Sequence, residues 1–317
     1  MFDLTELEAA ADLVHGAMSP TPQIAWPLLA ERAGCEVWVK HENHSPIGAF
    51  KVRGGLTWMD WRMRQDPPPV GIVSATRGNH GQSLAFAARR VGVSLVICVP
   101  EGNSVEKNAA MRAFGAELVE AGRDFEAARQ KAQEIATERG LEMVPSFHPQ
   151  LVRGVATYAL ELFRGAGELD AVYCPIGLGS GLCGIIRARD LLGLKTEVIG
   201  VVAEGAPAYA LSFAAGEVVP TESSNTLADG MATRIPDPGA FAMIRDGVAR
   251  IVTVSDTEIV AAMQAYYSDT HNLAEGAGAA ALAALLQERE RQAGRRIGVI
   301  LSGGNIDRSL YLKLMAA

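Results

Sequence analysis

From residue 36 almost to its end, the chain alternates short runs rich in Val and Ile with longer stretches of helical periodicity. The runs fall at 36–42, 70–76, 94–100, 116–121, 171–177, 196–204, 249–255 and 296–304. They are nearly continuous in apolar character, the mark of parallel strands covered on both faces. Helical patterns at 81–91, 104–114, 124–139, 154–164, 181–192, 257–268 and 275–291 supply the covers. Gly115 and Gly140 stop two of these helices, and Asp307 has the residue type and position of an N-cap for a last one. Strand–helix alternation of this kind implies βαβ units, so the expected class is α/β with twisted, parallel-rich sheets.

A chain of 317 residues is long for one core and fits two domains. The break falls at Pro67-Pro68-Pro69, because a proline triplet ends helices and stiffens a linker. We expect a small inserted α/β domain at 70–146 and a larger domain assembled from 1–69 and 147–317.

Charge and composition exclude several classes. A net charge of -7 does not suit a nucleic-acid backbone, which calls for a basic face. No run approaches the roughly 20 apolar residues that span a bilayer. The start, MFDLTELEAAADLV, is acidic and lacks the form of a signal peptide. Cys35, Cys98, Cys174 and Cys183 have neither zinc spacing nor a disulfide framework. A cytoplasmic protein with reduced thiols is the expectation, with no membrane and no nucleic acid among its partners.

Two stretches carry chemistry. The strand AVYCPI runs into Gly177-Leu178-Gly179-Ser180-Gly181-Leu182-Cys183-Gly184 and then a helix. Backbone N–H groups at such a junction, with the positive end of the helix, form a phosphate cradle. A tight turn without a ligand is the plain alternative. Gly179-x-Gly181-x-x-Gly184 also fits a dinucleotide fingerprint, with Glu204 where a ribose-binding acid would stand. A non-catalytic nucleotide-binding protein is therefore one alternative. The other stretch, His41 to Gly54, places Lys51 after Gly48-Ala49-Phe50 and before a helical run. A lysine held among apolar neighbours loses its proton readily, as Schiff-base lysines must.

Here the sequence resembles the fold-type II pyridoxal-phosphate enzymes, in particular the threonine/serine dehydratase (ammonia-lyase) and serine racemase group. Gly48-Ala49-Phe50-Lys51-Val52-Arg53-Gly54-Gly55 is similar to the family's lysine motif, and Thr76-Arg77-Gly78-Asn79-His80-Gly81-Gln82 to its asparagine loop. Gly177 to Gly181 matches its phosphate loop, Ala228-Asp229-Gly230 a loop facing the ring, and Ser302-Gly303-Gly304-Asn305 its pyridine-nitrogen site. The resemblance implies a two-domain fold like that of the tryptophan synthase β chain, and pyridoxal 5'-phosphate as cofactor. It implies that Lys51 binds the cofactor covalently and later moves the Cα proton. Phe50 would pack beside the ring and Asn79 bond its hydroxyl. Gly177, Leu178, Gly179, Ser180 and Gly181 would grip the phosphate through their N–H groups, and Ser302 would bond the ring nitrogen. Thr76, Asn79 and His80, with the backbone of Gly78, would hold a substrate carboxylate.

The implied activity is a dehydratase, or ammonia-lyase, that turns a 3-hydroxy amino acid into a 2-oxo acid and ammonia. Racemisation and β-replacement are the alternatives within the family. At residue 77 the family usually has Ser or Ala, and in racemases that serine is the second acid/base; here stands Arg77. An arginine stays protonated and makes a poor base, so elimination is favoured. Arg77 either binds a substrate carboxylate or forms a surface ion pair. The family's cation site uses an acid at Glu204, a carbonyl four residues on and a second carboxylate six residues on; here Ala208 and Ala210 stand at those later positions. No metal is expected. Trp26, Tyr209 and Phe213 suggest room for a bulky or aromatic β-substituent, as in phenylserine. A homodimer acting on a small amino acid is the expected assembly, without an appended amino-acid-sensing domain.

Overall fold

The computed structural model describes residues 1–316. Each of the eight apolar runs forms a strand, and two short strands join them. One sheet has six strands in the order β1-β2-β10-β7-β8-β9. These are β1 (Gln23–Ala25), β2 (Glu36–His41), β7 (Ala171–Pro175), β8 (Glu197–Ala203), β9 (Arg250–Val254) and β10 (Arg296–Leu301). The other sheet has four, in the order β5-β4-β3-β6: β3 (Gly71–Ala75), β4 (Ser94–Val99), β5 (Glu117–Glu120) and β6 (Glu142–Met143). Apart from the antiparallel edge pair β1–β2, all neighbours are parallel. At the centre of the larger sheet Gly298 pairs with Trp38 on one side and Val172 on the other.

Helices cover both sheets, as parallel strands require. On one face of the larger sheet lie α2 (Pro27–Ala33), α11 (Asp256–Thr270) and α12 (Gly276–Gln287), packed through Leu29, Met263, Tyr266, Leu282 and Leu285. On the other lie α1 (Leu4–His15), α7 (Pro149–Ala166), α8 (Ser180–Leu191) and α10 (Pro238–Gly247). The smaller sheet packs against α3 (Lys51–Met63) and α4 (Asn79–Val91) on one side and α6 (Phe125–Arg139) on the other. The remaining helices are α5 (Val105–Ala113), α9 (Ala208–Ala215) and α13 (Arg308–Met315). The smaller sheet draws all its strands from residues 71–143. On that basis we propose 70–146 as the smaller unit and 1–69 with 147–317 as the larger, with α3 packed across the seam.

Three local readings change. α7 begins at Pro149 rather than 154, because His148 is its N-cap and accepts a hydrogen bond from Gln150 N, with Pro at the first position. α12 ends at Gln287 instead of 291. Asp307 stands at the N-cap position of α13, but its carboxylate is spent elsewhere. It accepts from the Ser104 hydroxyl at 2.5 Å and from the N–H groups of Val105 and Glu106, capping α5. Glu106 in turn accepts from Arg308 N at 2.9 Å. The two helix starts cap each other because each brings unpaired N–H donors to a carboxylate of the other.

Candidate active site

Each stretch singled out in the sequence lies at the C-terminal end of a strand or the start of a helix. β3 leads through Thr76, Arg77 and Gly78 into α4, and β7 through Gly177 to Gly179 into α8. β10 ends just before Ser302, and Lys51 opens α3. In parallel α/β sheets the strand ends open into a crevice where ligands bind. A cavity of about 610 Å³ lies there, lined by Phe50, Lys51, Thr76, Arg77, Gly78, Asn79, His80, Gly177, Leu178, Gly179, Ser180, Gly181 and Ser302. Every site residue expected from sequence borders this one space.

Burial pushes the Lys51 amine down to about 8 from its ordinary 10.5, so a neutral amine is accessible near physiological pH. Its Nζ stands 3.3 Å from Ser180 Oγ and 5.0 Å from the centre of the Phe50 ring. That ring is held edge-on by Tyr158, whose hydroxyl donates to Gly181 O at 2.9 Å. His80 is buried, and its Nε2 has no hydrogen-bond partner among the described residues. Burial, then the nearby Lys51, holds it down to about 3, a neutral ring at working pH.

The glycine loop is built to leave main-chain N–H groups bare. A Cβ on Gly177 would meet Gly230 O at 2.3 Å, and one on Gly179 would meet Ala240 Cβ at 2.8 Å. Gly179 also adopts φ 97°, which glycine takes without strain. The Tyr209 hydroxyl donates to Leu178 O at 3.0 Å and fixes the turn. Ser180 opens the 12-residue α8, so free N–H donors and the helix dipole face the cavity. Ser302 is buried, and its hydroxyl has no protein partner among the described residues. A phosphate cradle, an amine of lowered proton affinity and an unpaired hydroxyl on the cavity wall fit a phosphorylated aldehyde with a ring heteroatom.

The cavity wall also holds a residue that sequence reading passed over. Lys107 donates to Asp229 Oδ2 at 2.6 Å and stands 3.2 Å from Glu275 Oε2. The second contact lies off the hydrogen-bonding direction, so it is a contact of charges, leaving that oxygen without a donor. Burial raises the proton affinity of Glu275, and Lys107 opposes it. For Lys107 the burial penalty is outweighed by Glu275 and Asp229, which hold it protonated. Asn79 donates one amide N–H to Glu275 Oε1 at 2.7 Å and accepts from Asn305 at 2.8 Å. Its second N–H is left for a ligand. Lys107 appears in sequence only as one charge on an amphipathic helix; its partners lie in other elements.

Trp26, Tyr209 and Phe213 do not border the cavity. Trp26 donates to His41 Nε2 at 2.9 Å and packs against the core around α2, so the argument for an aromatic β-substituent loses its basis. Glu204 is exposed and away from the cavity. Among the described residues no group of three or more His, Cys, Asp or Glu side chains is placed to hold a metal ion. No described helix is long and apolar enough to cross a membrane.

Two helix-covered, largely parallel sheets with a buried lysine facing a glycine-rich phosphate cradle define a class: enzymes that carry an aldehyde cofactor on a lysine. Residues 14–303 match the family described as pyridoxal-phosphate dependent enzyme, and the chain belongs to that family. Its cofactor is pyridoxal 5'-phosphate. The chain is 35% identical to the L-threonine ammonia-lyase of Geobacter sulfurreducens, over 97% of this chain and 76% of that one. It is 31% identical to the L-threo-3-hydroxyaspartate ammonia-lyase of Saccharomyces cerevisiae, over 97% and 94% of the two chains. Among solved structures it is similar to a pyridoxal 5'-phosphate-dependent aspartate racemase, with 27% identity, a TM-score of 0.91 and 97% of each chain covered.

Proposed function

We propose that the protein is an ammonia-lyase that converts a 3-hydroxy amino acid to a 2-oxo acid and ammonia. The observation that carries this reading is a buried amine of lowered proton affinity on the cavity wall, Lys51, with Arg77 at the position where a racemase needs a second base. When bound, pyridoxal phosphate supplies an electron sink that acidifies the Cα proton of an attached amino acid. Gly177, Leu178, Gly179, Ser180 and Gly181 would hold its phosphate, Ser302 its ring nitrogen, and Asn79, through the unspent N–H, its hydroxyl. Phe50 would pack beside the ring. The Thr76 hydroxyl accepts from Gly78 N at 3.0 Å, which leaves its own proton to donate into the cavity. With the first N–H groups of α4 and the neutral His80 ring, it holds the substrate carboxylate. Lys51, whose amine loses its proton more readily than an exposed lysine's, takes the proton from Cα in its neutral form. Loss of the β-hydroxyl as water, then hydrolysis, gives the products.

The named substrates of the relatives include threonine and 3-hydroxyaspartate. Racemisation is the second reading, favoured by the likeness to the aspartate racemase. It needs an acid/base on each side of Cα, and a guanidinium that stays protonated is a poor one. A homodimer remains part of the proposal, as do the cytoplasm and a site without metal. Exposed Tyr267, Leu273 and Leu312, on or beside α11 and α13, offer apolar surface for a second copy.

The test is a panel of serine, threonine, 3-hydroxyaspartate and phenylserine, read by 2-oxo acid and ammonia release and by chiral analysis of the remaining amino acid. Oxo-acid release from at least one is expected. Interconversion of enantiomers without oxo acid would replace this reading with racemisation.

A further inference from the structure

We propose that Arg77 selects the substrate, and that the preferred 3-hydroxy amino acid carries a second carboxylate on its side chain. The inference rests on the ammonia-lyase reading and adds the substrate class.

The α-carboxylate is already provided for by neutral groups: the Thr76 hydroxyl, the start of the 13-residue α4 and the neutral His80 ring. Arg77 lies inside this same loop and borders the same cavity, so its charge is additional to that cradle. Of the other charges on the wall, most are engaged; among the described residues Glu222 has no partner and Arg234 has no carboxylate partner. Lys107 holds Asp229 and Glu275. Arg234 donates to Thr221 O at 3.3 Å. Asp124 caps α6 by accepting from Ala127 N, and Glu126 pairs with Arg129 at 3.0 Å. Among the described residues the Arg77 guanidinium makes neither a hydrogen bond nor an ion pair.

An arginine on a convex surface would be adequately solvated in that state. Arg77 is itself exposed to solvent, yet it lines the cavity, and a charge lining a concavity attracts its counter-ion more strongly than one on an open convex surface. Its planar fork of donors matches a carboxylate with two parallel N–H···O bonds. The loop that carries it is also buttressed: the Lys107 side chain lies so close to Gly78 that a Cβ there would come within 2.4 Å of Lys107 Cδ. A fixed loop, a complete site for one carboxylate and an unspent cation beside it fit a dicarboxylic substrate such as 3-hydroxyaspartate.

The experiment compares holoenzyme with Arg77 intact, Arg77→Lys and Arg77→Ala, measuring kcat/KM for 3-hydroxyaspartate and for serine. The intact enzyme is expected to favour 3-hydroxyaspartate. In Arg77→Ala the ratio of the two values falls roughly 10- to 100-fold, the worth of a charge-assisted pair, and Arg77→Lys lies between. A readout independent of turnover is thermal protection by succinate against that by butyrate. Succinate should protect the intact protein more, and Arg77→Ala should erase the difference. A ratio that does not change, or a succinate advantage that survives in Arg77→Ala, overturns the inference while leaving the ammonia-lyase standing. If no hydroxy amino acid is turned over, the broader reading fails, and the succinate comparison still decides whether Arg77 binds a second carboxylate.

Discussion

Lys51 shows how far position alone can change a side chain. Its amine is enclosed at the start of α3, with Phe50 beside it and no carboxylate to hold the proton, so burial acts unopposed. The sign follows directly: below about 8 the amine is charged, above it neutral, whereas exposed lysines titrate near 10.5. Labelling of the cofactor-free protein with an amine reagent, read by peptide mass spectrometry across pH, should therefore give Lys51 a midpoint near 8. The same residue in urea-unfolded protein, where burial is lost, should label with a midpoint about two units higher. Lys51 and the glycine loop were legible in the sequence because their chemistry sits in contiguous residues. Lys107 was not. It meets Asp229 from 122 residues away, and no local pattern distinguishes it from a solvated charge.

At the scale of elements, the helix that presents Lys51 is anchored by a buried ion network two residues on. Arg53 donates to Glu42 at 2.7 and 3.0 Å, to Glu161 at 2.6 and 2.9 Å and to Thr157 at 2.9 Å. Lys40 reaches Glu161 at 2.5 Å, so two cations meet two carboxylates. The network joins β2, α3 and α7, and Arg53 and Glu42 are wholly buried. Removing one partner of such a set strands a charge away from water. Arg53→Met should cost about 3–5 kcal/mol in urea denaturation, and Arg53→Lys should not restore it, because an ammonium cannot span all these oxygens. The strands were legible where Val and Ile run together. β1 and β6 were not, since three and two residues make no periodicity. The helices α9 and α10 were also passed over: α9 is apolar around most of its circumference, and α10 follows a long irregular segment.

Across the whole molecule, the smaller sheet and the larger one meet over the cavity, and α5 ties them at both ends of its first turn. Lys107 reaches Asp229 and Glu275, while Asp307 caps the helix and Glu106 returns a bond to Arg308 N. Asp307→Ala removes the carboxylate that accepts from Val105 and Glu106 N, worth about 0.5–2 kcal/mol, and leaves Ser104 capping α5 through Lys107 N at 3.1 Å. Faster hydrogen exchange over residues 105–113, with exchange in the central strands β7 and β10 unchanged, is the expected result. The alternating pattern foretold two-layered α/β cover for the sheets. It did not foretell this seam, because reciprocal capping between helices some 200 residues apart leaves no periodic trace.

The proposed chemistry depends most on where the cofactor is joined. Borohydride reduction of the holoenzyme, followed by digestion and mass spectrometry, should find the reduced cofactor on the peptide carrying Lys51. Cofactor fixed to Lys107 or any other lysine, or to none, would contradict it.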